Sequence, residues 1–225
     1  GDIYEAEIKD FKFKSKVKMG TNVNSSGFES SATISEDGNT LFFASHRENG
    51  IGGKDIYMTR KLPNGEWALP QNLGENINTK YDEDFPNLFY DGTTLYFSSK
   101  GHNSIGGYDY FKSTWNHETN KWSKAENLGY PLNTTRDDIC ISFTEDKRHA
   151  YISAWRKDSK GFQDIYKVTF NELDARETII KSKIIEMGST EPIIDVFVII
   201  TDNRTQDERH YTPNSKNGGL LITLL

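Results

Sequence analysis

Acidic side chains recur at one fixed place along this chain. Glu29, Glu83 and Asp138 each stand at the head of a short apolar run, and around the second of them the sequence thickens to YDEDF, which adds Asp82 and Asp84. Clustered carboxylates are hard oxygen ligands of the kind that hold calcium, so Asp82, Glu83 and Asp84 are the candidate metal ligands. Two features favour another use. Calcium loops set their ligands at alternate positions around a glycine turn, a pattern that YDEDF lacks. An acid shared by every unit also suits a hydrogen-bonding device at the start of a strand.

Other chemistries fail on spacing. The pairs Gly52–Gly53 and Gly106–Gly107 have neither the Lys-Ser/Thr nor the helix start that a phosphate loop requires, and read as loop glycines. His46, His102, His117, His149 and His210 sit at unrelated repeat positions, without the paired spacing of a zinc site. The chain contains no G-x-S-x-G nucleophile elbow. SEDGNTLF resembles the S-x-D-x-G-x-T-W turn of sialidases, but no residue separates Asp37 from Gly38 and the final aromatic is Phe42. No catalytic residue and no cofactor is expected, and the chain is read as a non-enzyme.

The acids belong to a repeat. KMGTNVN…SEDGNTLFFAS…IGGKDIY, NLGENIN…FYDGTTLYFSS…IGGYDYF and NLGYPLN…FTEDKRHAYIS…KGFQDIY follow one another. Asp37, Asp91 and Asp146 are 54 and 55 residues apart, and Gly20, Gly74 and Gly129 keep the same interval, as do Asp55, Asp109 and Asp164. A period in this range with strand-like content marks a solenoid or propeller. Each unit predicts four strands: SATIS, FPNLF or ICISF; then TLFFAS, TLYFSS or AYISA; then DIYMTRKL, DYFKSTW or DIYKVTF; and a fourth beginning at Trp67 or Trp122. Four antiparallel strands make a propeller blade. Asp-Gly closes the first hairpin in two units; Lys147 replaces the glycine in the third, which predicts a looser turn or another type. Phe13, Trp67 and Trp122 each precede a repeat glycine by seven residues and are expected to pack between blades.

The opening GDIY matches GKDIY and FQDIY, so the chain is expected to begin on a blade's third strand. The predicted fold is all-β: a partial β-propeller over residues 1–170, with repeats at about 20–66, 74–121 and 129–170 and a remnant at 1–19. NELDARE then reads as a polar bridge. Residues 176–225, with β-branched runs IIKSKII, IIDVFVIIT and LLITLL broken by Gly, Pro and Asn, predict a small, incomplete β-sandwich. LLITLL is too short to span a bilayer and reads as a buried strand. The formal charge of −6, without a basic cluster beyond FKFKSKVK, argues against a nucleic-acid partner. Cys140, the single cysteine, aligns with Ser31 and Phe85 and is expected to be a small buried hydrophobe.

Over residues 1–170 the chain resembles the WD-like, TolB-type propeller repeats of the Bacteroidetes cell envelope, whose signature is N-L-G-x-x-I-N, E-x-x-P, D-G-x-x-L-Y-F-S-S and G-G-x-D-I-Y. The second unit matches it at Glu83, Pro86, Asp91, Gly92, Leu95, Tyr96, Phe97, Ser98, Ser99, Gly106, Gly107 and Asp109; Tyr110 replaces the Ile. The third departs at Ile141 and Lys147. GSTEPIIDVFVIITD resembles the start of a carboxypeptidase-regulatory-like sandwich. That order is similar to OmpA-family envelope lipoproteins, including a type IX secretion component. The resemblance implies a non-enzymatic scaffold in the periplasm, associated with the outer membrane but not inserted in it. Its implied partners are envelope proteins bound through the propeller rims, and peptidoglycan bound through a further domain. The alternatives are the non-catalytic propeller of a hydrolase, of prolyl-oligopeptidase or glycan-cleaving type, or a carbohydrate-binding module.

Overall fold

The computed structural model describes residues 1–170, 178–201 and 208–224, and all regular structure in them is β-strand. The bridge NELDARE, at 171–177, lies outside the described residues. The chain divides into two compact units, Gly1–Thr169 and Phe170–Leu225.

In the first unit β1 (Tyr4–Lys9) and β2 (Lys12–Lys18) form a hairpin. The first full blade is β3 (Phe28–Ile34), β4 (Thr40–His46), β5 (Asp55–Arg60) and β6 (Gln71–Asn72), paired in that order. The second is β7 (Glu83–Leu88), β8 (Thr94–Ser99) and β9 (Asp109–Asn116), with β10 (Lys121–Trp122) and β11 (Glu126–Asn127) both on β9. The third is β12 (Asp138–Phe143), β13 (His149–Ala154) and β14 (Asp164–Thr169). All pairings are antiparallel. β3 lies against β7 and β7 against β12, so the first strands of successive sheets are neighbours, as they are around a propeller axis.

The middle strands TLFFAS and TLYFSS are apolar on both faces because each blade is covered on both sides. Phe42 and Ile56 of the first blade pack with Ile77, Leu95, Phe97, Phe111 and Trp122. Val23, Leu41, Phe43 and Tyr57 form a second core that takes in Ile3, Met19 and Trp67. Trp122 meets Phe42 edge-on at 5.9 Å, which places one of the recurring rings between blades. Full burial of each such side chain contributes about 1.5–3 kcal/mol.

Several expectations are corrected. Phe13 is 77% exposed, because no blade of this chain lies on its outer side. The fourth strand is not continuous. Trp67 makes a lone bridge to Lys61, Pro70 has no N–H to continue the ladder, and pairing resumes only at Gln71–Asn72. In the second blade the chain leaves β9 after Ser123, and the Ala125 N–H turns to the carbonyl of Asn76, 3.0 Å away. Cys140 is exposed: β12 bulges between Ile139 and Ile141, Cys140 takes φ 60°, and its side chain leaves the core. Phe85 occupies the same bulge in β7 with φ 54°.

The third hairpin is not looser. Gly38, Gly92 and Lys147 have φ of 72°, 68° and 60°, and their N–H groups bond the carbonyls of Ser35, Phe89 and Thr144 at 2.9 Å in all three. Asp37, Asp91 and Asp146 each accept backbone N–H groups just beyond the turn. The aspartate fixes the turn, and Lys147 adopts the left-handed conformation at a cost of about 1–2 kcal/mol.

The second unit holds two antiparallel pairs. β15 (Thr178–Lys183) pairs with β18 (Gly219–Leu224), and β16 (Val198–Thr201) pairs with β17 (Glu208–Tyr211). The run expected at 193–201 is strand only from Val198 onward, and the polar strand ERHY carries no apolar signal that would have revealed it.

Lys147→Gly removes the left-handed strain and is expected to raise stability by about 0.5–1 kcal/mol, seen as a higher urea midpoint with an unchanged slope. An unchanged or lower midpoint contradicts this reading of the turn.

Candidate functional site: the junctions between blades

The residues that recur in sequence converge on the seams between sheets. Each G-x-x-φ-N stretch folds into a tight turn in which the Asn N–H bonds the Gly carbonyl: Asn24 to Gly20 at 2.9 Å, Asn78 to Gly74 and Asn133 to Gly129 at 2.8 Å. The turn aims the Asn amide at the third strand of the preceding blade for Asn78 and Asn133, and at Ile3, just before β1, for Asn24. Asn78 Oδ1 accepts the Ile56 N–H at 2.8 Å, and its Nδ2 donates to the Ile56 carbonyl at 2.9 Å. Asn24 does the same to Ile3 at 2.7 and 2.9 Å, and Asn133 to Tyr110 at 2.7 and 2.9 Å. All three amides are buried. A primary amide carries a donor and an acceptor side by side, which is what one backbone residue presents in return.

A second layer supports these clasps. Asn72 and Asn127 accept from the clasp amides at 2.8 and 2.7 Å and donate to Asp55 and Asp109 at 2.8 and 3.0 Å. In the first junction Lys18 donates to Asp2 at 2.9 Å, and the Asn24 amide gives its other N–H to the Met19 carbonyl at 2.8 Å. The carbonyl just before each clasp Asn is held too. Arg47 donates to Val23 at 2.7 Å, Arg156 to Leu132 at 2.9 Å, and the His102 Nε2–H to Ile77 at 2.8 Å. His102 is therefore the counterpart of two arginines, displaced one residue along the repeat, rather than an unrelated histidine. Its ring packs with Phe111 and Phe97, and burial pushes its pKa down despite the Ile77 bond.

The acid register serves the same seams. Glu83 accepts from the Thr79 N–H and hydroxyl and from Ser99, at 2.7, 2.7 and 2.6 Å; burial nevertheless pushes its pKa up. Glu29 takes Ser25 and Ser45, and Asp138 takes Thr134 and, at 2.8 Å, Arg156. The flanking candidates turn to the first blade. Asp84 accepts from Ser30, Ser31 and the Lys54 ammonium, while Asp82 takes the Lys54 N–H at 3.0 Å and the Lys100 ammonium at 3.0 Å. YDEDF thus latches the second blade to the first through Lys54 and the Ser30 and Ser31 hydroxyls, while Lys100 holds Asp82 from within the second blade. The glycine pairs explain themselves at the same places. A Cβ on Gly53 or Gly107 would strike the Asp82 or Asp137 carboxylate, and one on Gly52 or Gly106 the backbone at Thr79 or Thr135.

Where the first and second blades meet at their hairpin turns, the seam opens into a cavity of about 720 Å³. Phe42, Phe89, Tyr90, Trp115 and Trp122 form its walls. Glu36, Asp37, Asp91 and Arg60 stand at its polar side. At the next junction the counterpart of Leu88 is Phe143, whose ring packs on Phe89 and Tyr96 at 4.9 and 4.5 Å. At the cavity the corresponding pair is the smaller Leu88 and Ser35. Neither the cavity nor the clasp asparagines were singled out from sequence, although the recurrence of Asn24, Asn78 and Asn133 was available to do so.

Neither a family model nor a curated protein matches the chain. Among solved structures, TolB from Acinetobacter baumannii is similar at 12% identity with a TM-score of 0.43, over 99% of this chain and 48% of that one. The chain spans about half the length of that protein. The blade assignment rests on the sheets and clasps themselves.

Asn78→Ala strands the buried Ile56 N–H and leaves the Ile56 C=O with the Leu73 N–H alone, and is expected to cost about 1–3 kcal/mol in chemical denaturation. A loss under about 0.5 kcal/mol contradicts the clasp. For His102, the folded pKa lies below the 6.5 of the free side chain, so the unfolded chain binds the extra proton. Its contribution is complete above about pH 6.5 and declines as pH falls below it. His102→Gln is expected to flatten that part of the stability–pH curve; an unchanged slope contradicts the assignment.

Proposed function

We propose that this chain is a non-enzymatic interaction scaffold of the cell envelope, at the periplasmic side of the outer membrane, within an OmpA-family lipoprotein linked to type IX secretion. One observation carries the reading. The recurring acids, amides and glycines, the residues whose types invite a catalytic or metal-binding role, are engaged in holding one blade to the next. Chemistry spent on the seams leaves the rims as the surfaces that vary between copies. Large exposed side chains stand at the hairpin ends, among them Tyr90, Leu62 and Leu69. An exposed tyrosine such as Tyr90 suits a protein partner, because a few aromatic and arginine anchors supply most of the energy of a protein interface.

The specific envelope assignment draws on the propeller-then-sandwich order and on the signature residues of the second unit. Affinity capture with the immobilised chain, run in parallel on envelope and cytosolic extracts, tests it. Saturable retention of outer-membrane or periplasmic proteins is expected. Retention of cytosolic proteins alone, or hydrolysis of peptide or glycan reporters by the purified chain, contradicts it.

A further inference from the structure

We infer that the cavity between the first and second blades receives a lysine or arginine side chain from an extended segment of a bound protein. The inference rests on the scaffold reading above and names a contact within it.

The cavity's size falls within the range of ligand pockets, and five aromatic rings line it. Aromatic faces attract cations, by about 0.5–2 kcal/mol depending on desolvation. One of these rings already shows it, since the Lys147 ammonium lies 5.9 Å from the centre of Tyr90. Three carboxylates, Glu36, Asp37 and Asp91, outnumber the cationic side chains of the lining and leave it net negative. Hydrogen bonds from Ser35 and Asn39 hold the Asp37 carboxyl below the usual range. Burial pushes the Asp91 carboxyl up, but the Thr93 and Thr94 N–H groups and the Thr94 hydroxyl outweigh it and keep it low. Both stay ionised through neutral pH.

A second, independent observation comes from Trp122. It lines the cavity and is 7% exposed, and its indole N–H is buried with no hydrogen-bond partner. Leaving such a donor unmet costs about 1–3 kcal/mol, which an incoming acceptor would recover. A basic residue within a peptide brings both features at once: an ammonium or guanidinium for the carboxylates and rings, and a backbone carbonyl for the indole. An acidic or purely apolar segment brings only one or neither.

The test is a titration of the ¹⁵N-labelled chain with N-acetyl-lysine N-methylamide, following the indole N–H signals of its four tryptophans. The Trp122 and Trp115 signals are expected to move, and those of Trp67 and Trp155 to stay. N-acetyl-norleucine N-methylamide, the same stem without the charge, should bind several-fold more weakly. Glu36→Gln, at an exposed side chain outside the turn-capping bonds, should weaken the lysine probe by about threefold. Equal binding of the two probes, a silent Trp122 signal at saturating lysine probe, or an unchanged affinity in Glu36→Gln each overturns the inference. Capture of envelope proteins by a chain with a silent cavity overturns this contact and leaves the scaffold standing; a responsive cavity with only cytosolic capture does the reverse.

Discussion

The rest of the first unit depends on one interaction: an asparagine amide paired with the outward backbone N–H and C=O of one residue of the neighbouring sheet. The third strand of a blade has both edges to satisfy. Its inner edge pairs with the second strand, but the fourth strand is broken, so the outward N–H at Ile56 and Tyr110 would otherwise be buried without a partner, and the C=O would keep only the Leu73 or Leu128 N–H. The clasps remove that penalty and at the same time fix the spacing of adjacent sheets. Because the donor–acceptor fork of one amide meets one residue only, each clasp also sets the register in which the apolar faces stack.

Once the sheets are locked at this spacing, other residues follow. The glycine pairs are required because the next blade's backbone and carboxylates come too near for a side chain. The buried Glu29, Glu83 and Asp138 tie the turn that carries the clasp to the strand behind it, and Arg47, His102 and Arg156 hold the carbonyl next to it. The aromatic residues then fill what remains, completely where Phe143 packs on Phe89 and Tyr96, incompletely where Leu88 stands. At the cavity two positions are smaller than their counterparts at the next junction, Leu88 for Phe143 and Ser35 for Phe89.

Much of this was legible in the sequence, for a physical reason. Repetition reveals whatever every copy needs, so the strands, the Asp-capped hairpins, the interblade tryptophans and the structural use of the recurrent acids could all be read. Long-range partnership is not written locally. Nothing in NLGENIN says that Asn78 reaches 22 residues back to Ile56, or in YDEDF that Asp84 reaches Lys54. Backbone strain was equally hidden: the bulge that expels Cys140 and the left-handed Lys147 depend on ladder geometry, not on residue preference. His102 escaped because one residue of slippage separates it from the arginines whose work it does. The cavity escaped because it arises from a difference between two junctions, and a repeat pattern reports only what the copies share.

Native-state hydrogen exchange on individual amides tests the central claim most directly, because the clasp predicts a contrast within a single register position. Ile56 and Tyr110 are fully buried beneath an asparagine, whereas Ile165, their counterpart on β14, is 77% exposed. The account predicts that the Ile56 and Tyr110 amides exchange only through global unfolding of the first unit, while the Ile165 amide exchanges orders of magnitude faster through local opening. Comparable, fast exchange at all three would show that the amide clasps do not hold the blades together.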